Sequence, residues 1–260
     1  MLRRNRFWAA IAVVPSIFIW GLEQPAKGNN SEKSLTTCDV PGYMLVMGGI
    51  EDPSKIPDPI RAAKYGPAVA SLVDGHGAYY VVQGRPKTVY EGNWPDWRAV
   101  IISRWPCQET ANKFWYSDAY QKNTKPLRKD AGTYTVALFE GAPPVVDSSP
   151  AIIPDTCTDP IVILIMSKVT DTEKYTAYSR AILDSNLPRR FGYKSLFMGQ
   201  PREMLEGNWP EDYSTMVSIW PCKEAWQNFY GGEPYVSTIK PLRKNAGNFV
   251  IIELDPKRLD

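Results

Sequence analysis

Residues 84–140 read GRPKTVYEGNWPDWRAVIISRWPCQETANKFWYSDAYQKNTKPLRKDAGTYTVALFE, and residues 199–255 read GQPREMLEGNWPEDYSTMVSIWPCKEAWQNFYGGEPYVSTIKPLRKNAGNFVIIELD. Aligned at an offset of 115 without a gap, 21 of 57 positions are identical. The shared residues are those that fix a backbone: Glu91-Gly92-Asn93-Trp94-Pro95 against Glu206-Gly207-Asn208-Trp209-Pro210, Trp105-Pro106-Cys107 against Trp220-Pro221-Cys222, and Lys125-Pro126-Leu127-Arg128-Lys129 against Lys240-Pro241-Leu242-Arg243-Lys244. Identical Trp, Gly and Pro at one fixed spacing imply one fold used twice.

Working outward, each repeat opens on an apolar run that reads as a buried strand, Tyr43–Met47 and Ile161–Met166. Asp171 is a helix cap with Tyr175, Tyr178 and Ile182 at helical spacing after it. Asp58-Pro59 is the matching start in the first repeat, where Pro67 makes the helix irregular. Strands follow at 78–83 and 193–198, then a polar hairpin holding the Glu-Gly-Asn-Trp-Pro motif, then strands at 99–105 and 215–220 stopped by Pro106 and Pro221. Helices at 108–116 and 223–230, helical turns at 120–129 and 235–244, and last strands at 134–139 and 249–254 complete each unit. The order is β-α-β-β-α-β, the ferredoxin-like unit, which covers one face of its sheet with helices and leaves the other face needing a partner. The predicted fold class is therefore α+β: two ferredoxin-like repeats, 40–141 and 158–256, whose four-stranded sheets face each other as an intramolecular pseudo-dimeric α+β barrel. The repeats partner each other, so a monomer is expected.

The flanks carry other signals. Arg3, Arg4 and Arg6 precede an apolar run from Phe7 to Leu22, which reads as a signal peptide over 1–26 and places the protein outside the cell or in the periplasm. The run is shorter than the roughly 20 residues of a membrane span, and an uncleaved anchor is the alternative. A polar lead follows at 27–39, with a glycosylation sequon at Asn29-Asn30-Ser31, and a proline-rich linker spans 142–157. The net charge of +2 is spread among interspersed Lys, Arg, Asp and Glu, which excludes the basic stripe of a nucleic-acid binder. With one histidine and no Cys-x-x-Cys, no metal site and no cofactor are expected.

The run Leu205-Glu206-Gly207-Asn208-Trp209, then Trp220-Pro221, Phe229-Tyr230, and Tyr235 before Arg243 resembles the family catalogued as domain of unknown function 1330, within the dimeric α+β barrel superfamily. The resemblance spans both repeats and is closer in the second; the Trp-Pro-Cys cysteines, the fusion and Pro67 depart from it. It implies the fold. It implies no single reaction, because the superfamily holds cofactor-free monooxygenases, lactone isomerases, haem proteins and plain ligand binders.

Candidate site residues come from the repeated motifs and from where the repeats differ. Glu91 and Glu206 are candidate catalytic bases, with Asn93 and Asn208 as binding partners; the plainer reading is a hairpin whose Trp94 and Trp209 pack on a neighbour. The tryptophans also serve as candidate pocket walls. Arg128 and Arg243 are candidates for neutralising a carboxylate, or are cations ending a helix. His76, present only in the first repeat, is a candidate base or axial haem ligand, with Tyr79 and Arg85 beside it. The four cysteines also follow the repeat, and an exported chain should pair them. In this order the first and third strands of a unit are expected to be parallel neighbours, which puts Cys38 and Cys107 at opposite ends of one sheet; with the two sheets antiparallel across the twofold axis, the expected bonds cross the repeats as Cys38–Cys222 and Cys107–Cys157.

The expected function is an exported binder of a small molecule, extending to a cofactor-independent isomerase, cyclase or oxygenase acting on a small apolar or carboxylated substrate. That reading requires a cavity holding Glu91 or Glu206 with a raised pKa. The alternative is a non-catalytic structural or stress-related interaction module, whose pockets would be filled by tryptophan and tyrosine. A haem-binding protein is third.

Overall fold

A computed structural model of the chain describes residues 38–142 and 151–259. The expected signal peptide over 1–26, the sequon, most of the 27–39 lead and the prolines at 143, 144 and 150 lie outside the described residues.

The first repeat runs β1 (Gly42–Gly49), α1 (Pro59–Ala63), α2 (Tyr65–Gly75), β2 (Tyr79–Gly84), β3 (Thr88–Glu91), β4 (Ala99–Trp105), α3 (Gln108–Trp115) and β5 (Thr133–Glu140). The second runs β6 (Ile161–Val169), α4 (Thr172–Ser185), α5 (Leu187–Arg190), β7 (Lys194–Gly199), β8 (Glu203–Glu206), β9 (Tyr213–Trp220), α6 (Lys223–Tyr230) and β10 (Gly247–Leu254). Asp58 and Asp171 cap their helices by accepting from the amides of Arg61 and Lys174 at 2.8 and 3.1 Å. The first-repeat helix breaks after Ala63, whose carbonyl lies four residues before Pro67, where the proline ring leaves no room to continue the turn. Before the last strand of each unit, the chain takes π-helical and then 3₁₀ turns, Ala119–Arg128 and Tyr235–Arg243.

Each sheet has five strands rather than the expected four, in the orders β2-β4-β1-β5-β8 and β3-β10-β6-β9-β7. The fifth strand is borrowed. The β3 arm of the first repeat's hairpin pairs with β10 of the second repeat, and β8 pairs with β5 in return. The opposite edges are covered as well: Lys257 N–H donates to the Val81 carbonyl on β2, and Ala142 N–H to the Leu196 carbonyl on β7, both at 2.7 Å. Both edges of each repeat's own four strands therefore meet the other repeat, and the short strands β3 and β8 become the outermost ones.

The sheets enclose one apolar layer between them, including Leu45, Val100, Ile102 and Phe139 from the first and Leu164, Phe197, Val217 and Ile252 from the second. On the outer faces, Trp105, Phe114, Trp115 and Tyr120 fill the space under the helices of the first repeat. Trp220, Trp226, Phe229 and Tyr235 do so in the second. The result is helix, sheet, sheet, helix, with all three interiors packed by side chains.

Strand direction corrects the disulfides. β1 and β4 are antiparallel neighbours, with Gly42 opposite Trp105, because the β2–β3–β4 hairpin reverses the chain after the helical crossover. The cysteine ahead of β1 thus meets the one after β4 at the same end of the sheet. The bonds are Cys38–Cys107 and Cys157–Cys222, one within each repeat, with Cα separations of 5.0 and 5.2 Å.

Candidate functional site

The Glu-Gly-Asn-Trp-Pro motif lies where each hairpin crosses to the other repeat. Gly92 and Gly207 have φ of +73° and +69°. A Cβ on either would lie 2.5 Å from a carbonyl oxygen of the opposite sheet, that of Phe249 or Tyr134. Glycine is required at both crossings, for conformation and for space. Trp94 and Trp209 pack on the layer between the sheets, and their indole N–H groups donate to the carbonyls of Arg98 and Tyr213 at 2.7 and 2.6 Å.

The glutamates of the motif meet the arginines of the other one. Arg243 grips Glu91 with both terminal nitrogens, at 2.8 and 2.6 Å, and Arg128 grips Glu206 at 2.8 and 2.7 Å. Lys240 and Lys125 add second cations at 3.3 and 2.8 Å. Both arginines are buried, with side chains 7% and 8% exposed. Each lies against aromatic rings, Tyr178 and Phe249 for Arg243, Tyr65 and Tyr134 for Arg128. Each ends a 3₁₀ turn, yet its guanidinium is committed to a glutamate of the other repeat. They close the two repeats on each other through reciprocal charge-assisted forks.

This geometry reverses the protonation expected of a base. Burial pushes the Glu91 carboxyl up, but the Arg243 fork, the Tyr230 hydroxyl donating to the same carboxylate, and the Lys240 charge outweigh it and hold the group at about 2. Glu206 is likewise lowered, against burial, by Arg128 and Lys125. A carboxylate held this far down is a weak proton acceptor at neutral pH, so the raised pKa required of a catalytic base is absent at both positions.

The other candidates separate. His76 caps α2, its Nδ1 2.7 Å from the Leu72 carbonyl and its ring edge-on to Trp105 and Phe114 on the helix side of the sheet. Tyr79 faces the opposite way, onto the layer between the sheets, with Arg258 over its ring at 4.6 Å. Arg85 is exposed. The three do not form one site.

What the structure does assemble is a cleft of about 980 Å³ on the β3–β10 seam. It joins Glu91, Gly92 and Asn93 of the first repeat to Tyr213, Lys240, Arg243, Lys244, Asn245, Asn248 and Phe249 of the second. Three cations face one carboxylate there, and that carboxylate already serves Arg243 and Lys240. Lys244 is exposed and has no ion-pair partner among the described residues.

One functional-looking group escaped the sequence reading. Glu253 on β10 is 4% exposed and faces the helices of the second repeat. It accepts from the Tyr90 hydroxyl at 2.5 Å and pairs with Lys223 at 3.0 Å. At the matching places on the other sheet, Leu138 of β5 and Leu205 of the exchanged strand β8 lie in an apolar cluster. A glutamate ending the run Val250-Ile251-Ile252, where its twin has leucine, was the available signal.

Among solved structures, the chain is similar to a candidate monooxygenase from Fusobacterium nucleatum at 9% identity, with 84% of this chain and 93% of that chain covered and a TM-score of 0.51. It is similar to another from Lactobacillus acidophilus at 10% identity, with coverage of 85% and 95% and a TM-score of 0.47. A mutant chlorite dismutase from Candidatus Nitrospira defluvii follows at 11% identity, with coverage of 86% and 92% and a TM-score of 0.46. At these identities the likeness speaks for the fold alone. No curated protein matches the chain in sequence. Residues 43–142, in the first repeat, match the family described as "Domain of unknown function (DUF1330)". The chain thus has the fold of the dimeric α+β barrels, and its first repeat is similar to the DUF1330 family.

Proposed function

We propose that this is an exported protein that binds a small carboxylated molecule in the seam cleft of the second repeat, without using Glu91 as a base. The observation that supports it is electrostatic. Lys240, Arg243 and Lys244 line the cleft against a single, already neutralised carboxylate, so the opening presents a surplus of positive charge. Two disulfides favour an oxidising compartment, and no helix among the described residues is long and apolar enough to cross a membrane. The test is titration calorimetry of the full chain with hexanoate and with its neutral isostere hexanamide. Hexanoate should bind and hexanamide should not. Lys244→Ala should weaken hexanoate about fivefold, from about 1 kcal/mol for one charged hydrogen bond at an open site. Equal binding of acid and amide, or indifference to Lys244→Ala, overturns the reading.

A second reading, a structural or stress-related interaction module with no ligand, is favoured by one observation. Tryptophan, tyrosine and phenylalanine fill the layers where an enclosed pocket would lie. It requires that no anion bind. The haem alternative finds less support, because the rings of Trp105 and Phe114 and the side chain of Val73 occupy the layer around His76, where a porphyrin would need an open slot.

A further inference from the structure

Beyond charge, the cleft has an unusual lining of amides. Asn93, Asn245 and Asn248 all border it, all are exposed, and none has a side-chain hydrogen-bond partner among the described residues. Asn93 stands out within its motif. Glutamate is held by the arginine fork, glycine by the crossing and tryptophan by the inner layer, while the asparagine side chain has no such task. Asn245 holds a left-handed backbone at φ +60°, which turns the chain directly after Lys244.

A primary amide offers both donors and an acceptor, as a hydroxyl does, so several amides around one cleft match a ligand carrying several hydroxyls. An alkyl chain would instead strip water from those amides and return nothing, at a cost for each. The ring of Tyr213, with Pro241 and Val250, supplies the apolar surface on which the C–H face of a sugar ring rests. Resting on the reading of the cleft as a carboxylate site, we infer that its ligand is a polyhydroxylated carboxylate of the sugar-acid class, held by Lys244 and Lys240 through the acid and by the three asparagines through its hydroxyls.

The inference also states how many sites there are. The first repeat has Asp130 at the place of Asn245 and Thr133 at the place of Asn248. A carboxylate at that turn repels an acid and cannot donate to a hydroxyl while ionised. One ligand per chain is therefore expected, in the second repeat.

Calorimetry and saturation-transfer NMR on the full chain, with glucuronate, glucuronamide and hexanoate as probes, test it. The expected result is one glucuronate per chain, bound at least tenfold more tightly than hexanoate or glucuronamide. Asn93→Ala with Asn248→Ala should weaken glucuronate about tenfold, as two neutral hydrogen bonds are worth, and leave hexanoate unchanged. Hexanoate binding as tightly as glucuronate, or a double variant that weakens neither, overturns the sugar-acid inference while leaving the carboxylate reading intact. If neither acid binds better than its amide, both fall. Two glucuronates per chain would overturn the restriction to the second repeat.

Discussion

The Glu91–Arg243 fork can be broken without changing the shape of either side chain. Glu91→Gln keeps the volume and removes the charge, leaving Arg243, 7% exposed, without its counter-ion. Two routes give the size of the effect. A carboxyl lowered from 4.5 to about 2 corresponds, at about 1.4 kcal/mol for each pKa unit, to about 3 kcal/mol of stability at neutral pH. Removing one partner of a buried ion pair costs about 3–5 kcal/mol. The two agree. The pH dependence follows from the sign of the shift: a lowered pKa stabilises the fold above the unfolded value and is lost as pH falls through the folded one. The contribution should be complete above pH 4.5 and disappear between there and about 2. Urea unfolding followed by tryptophan fluorescence, run from pH 7 down to pH 2, measures it. Wild type and Glu91→Gln should differ by about 3 kcal/mol at pH 7 and converge near pH 2. A difference under about 1 kcal/mol at pH 7, the range of an exposed pair, would refute the claim that the fork holds the repeats together. So would a gap that persists unchanged to pH 2. The same substitution removes the only acid from the cleft lining, so it should bind carboxylates more tightly while destabilising the fold.

Other outcomes follow from the structure. Non-reducing peptide mapping should find Cys38 joined to Cys107 and Cys157 to Cys222, and Cys157→Ser with Cys222→Ser should cost roughly 4 kcal/mol in urea, from the closure of a loop of 65 residues. Glu253→Leu alone should destabilise by about 1 kcal/mol, because the Tyr90 hydroxyl loses its acceptor while Lys223, 47% exposed, turns to water. Adding Tyr90→Leu, which recreates the Leu138–Leu205 arrangement of the other sheet, should restore most of that loss; a double variant as unstable as the sum of the singles refutes the account. Gly92→Ala should lose about 2 kcal/mol or more, since its Cβ would press on the Phe249 carbonyl in a backbone conformation that alanine resists; thermal unfolding will show it.

The parts of the fold that local pattern controls were legible. Apolar runs gave β1, β4, β5 and their twins; Asp58 and Asp171 marked their helices; and Pro67 marked the irregular one. What escaped depended on the path of the chain between the repeats. Thr88–Glu91 is four residues in a polar hairpin, with nothing in its composition to say that it pairs with the other repeat's last strand. Once that crossing is missed, Glu91 reads as a hairpin acid and Arg243 as a helix-end cation, although the retention of both in both repeats was compatible with one contacting the other. The cysteines were misassigned for a related reason, the direction of β4 relative to β1. Of the candidate site, the structure gathers Glu91, Asn93 and Arg243 in one cleft, and leaves His76, Tyr79 and Arg85 apart.

Fusion has a consequence for how such a barrel can change. A barrel assembled from two copies of one chain must carry every substitution at both symmetry-related places, so an alteration useful on one side and harmful on the other is unavailable to it. Here Glu253 stands in one half while Leu138 keeps the other apolar, and a neutral Asn245 holds one turn while Asp130 holds its counterpart. The reciprocal arginine forks preserve the shape that symmetry would otherwise impose. Joined in one chain, one half can hold the structure steady while the other acquires a specificity of its own.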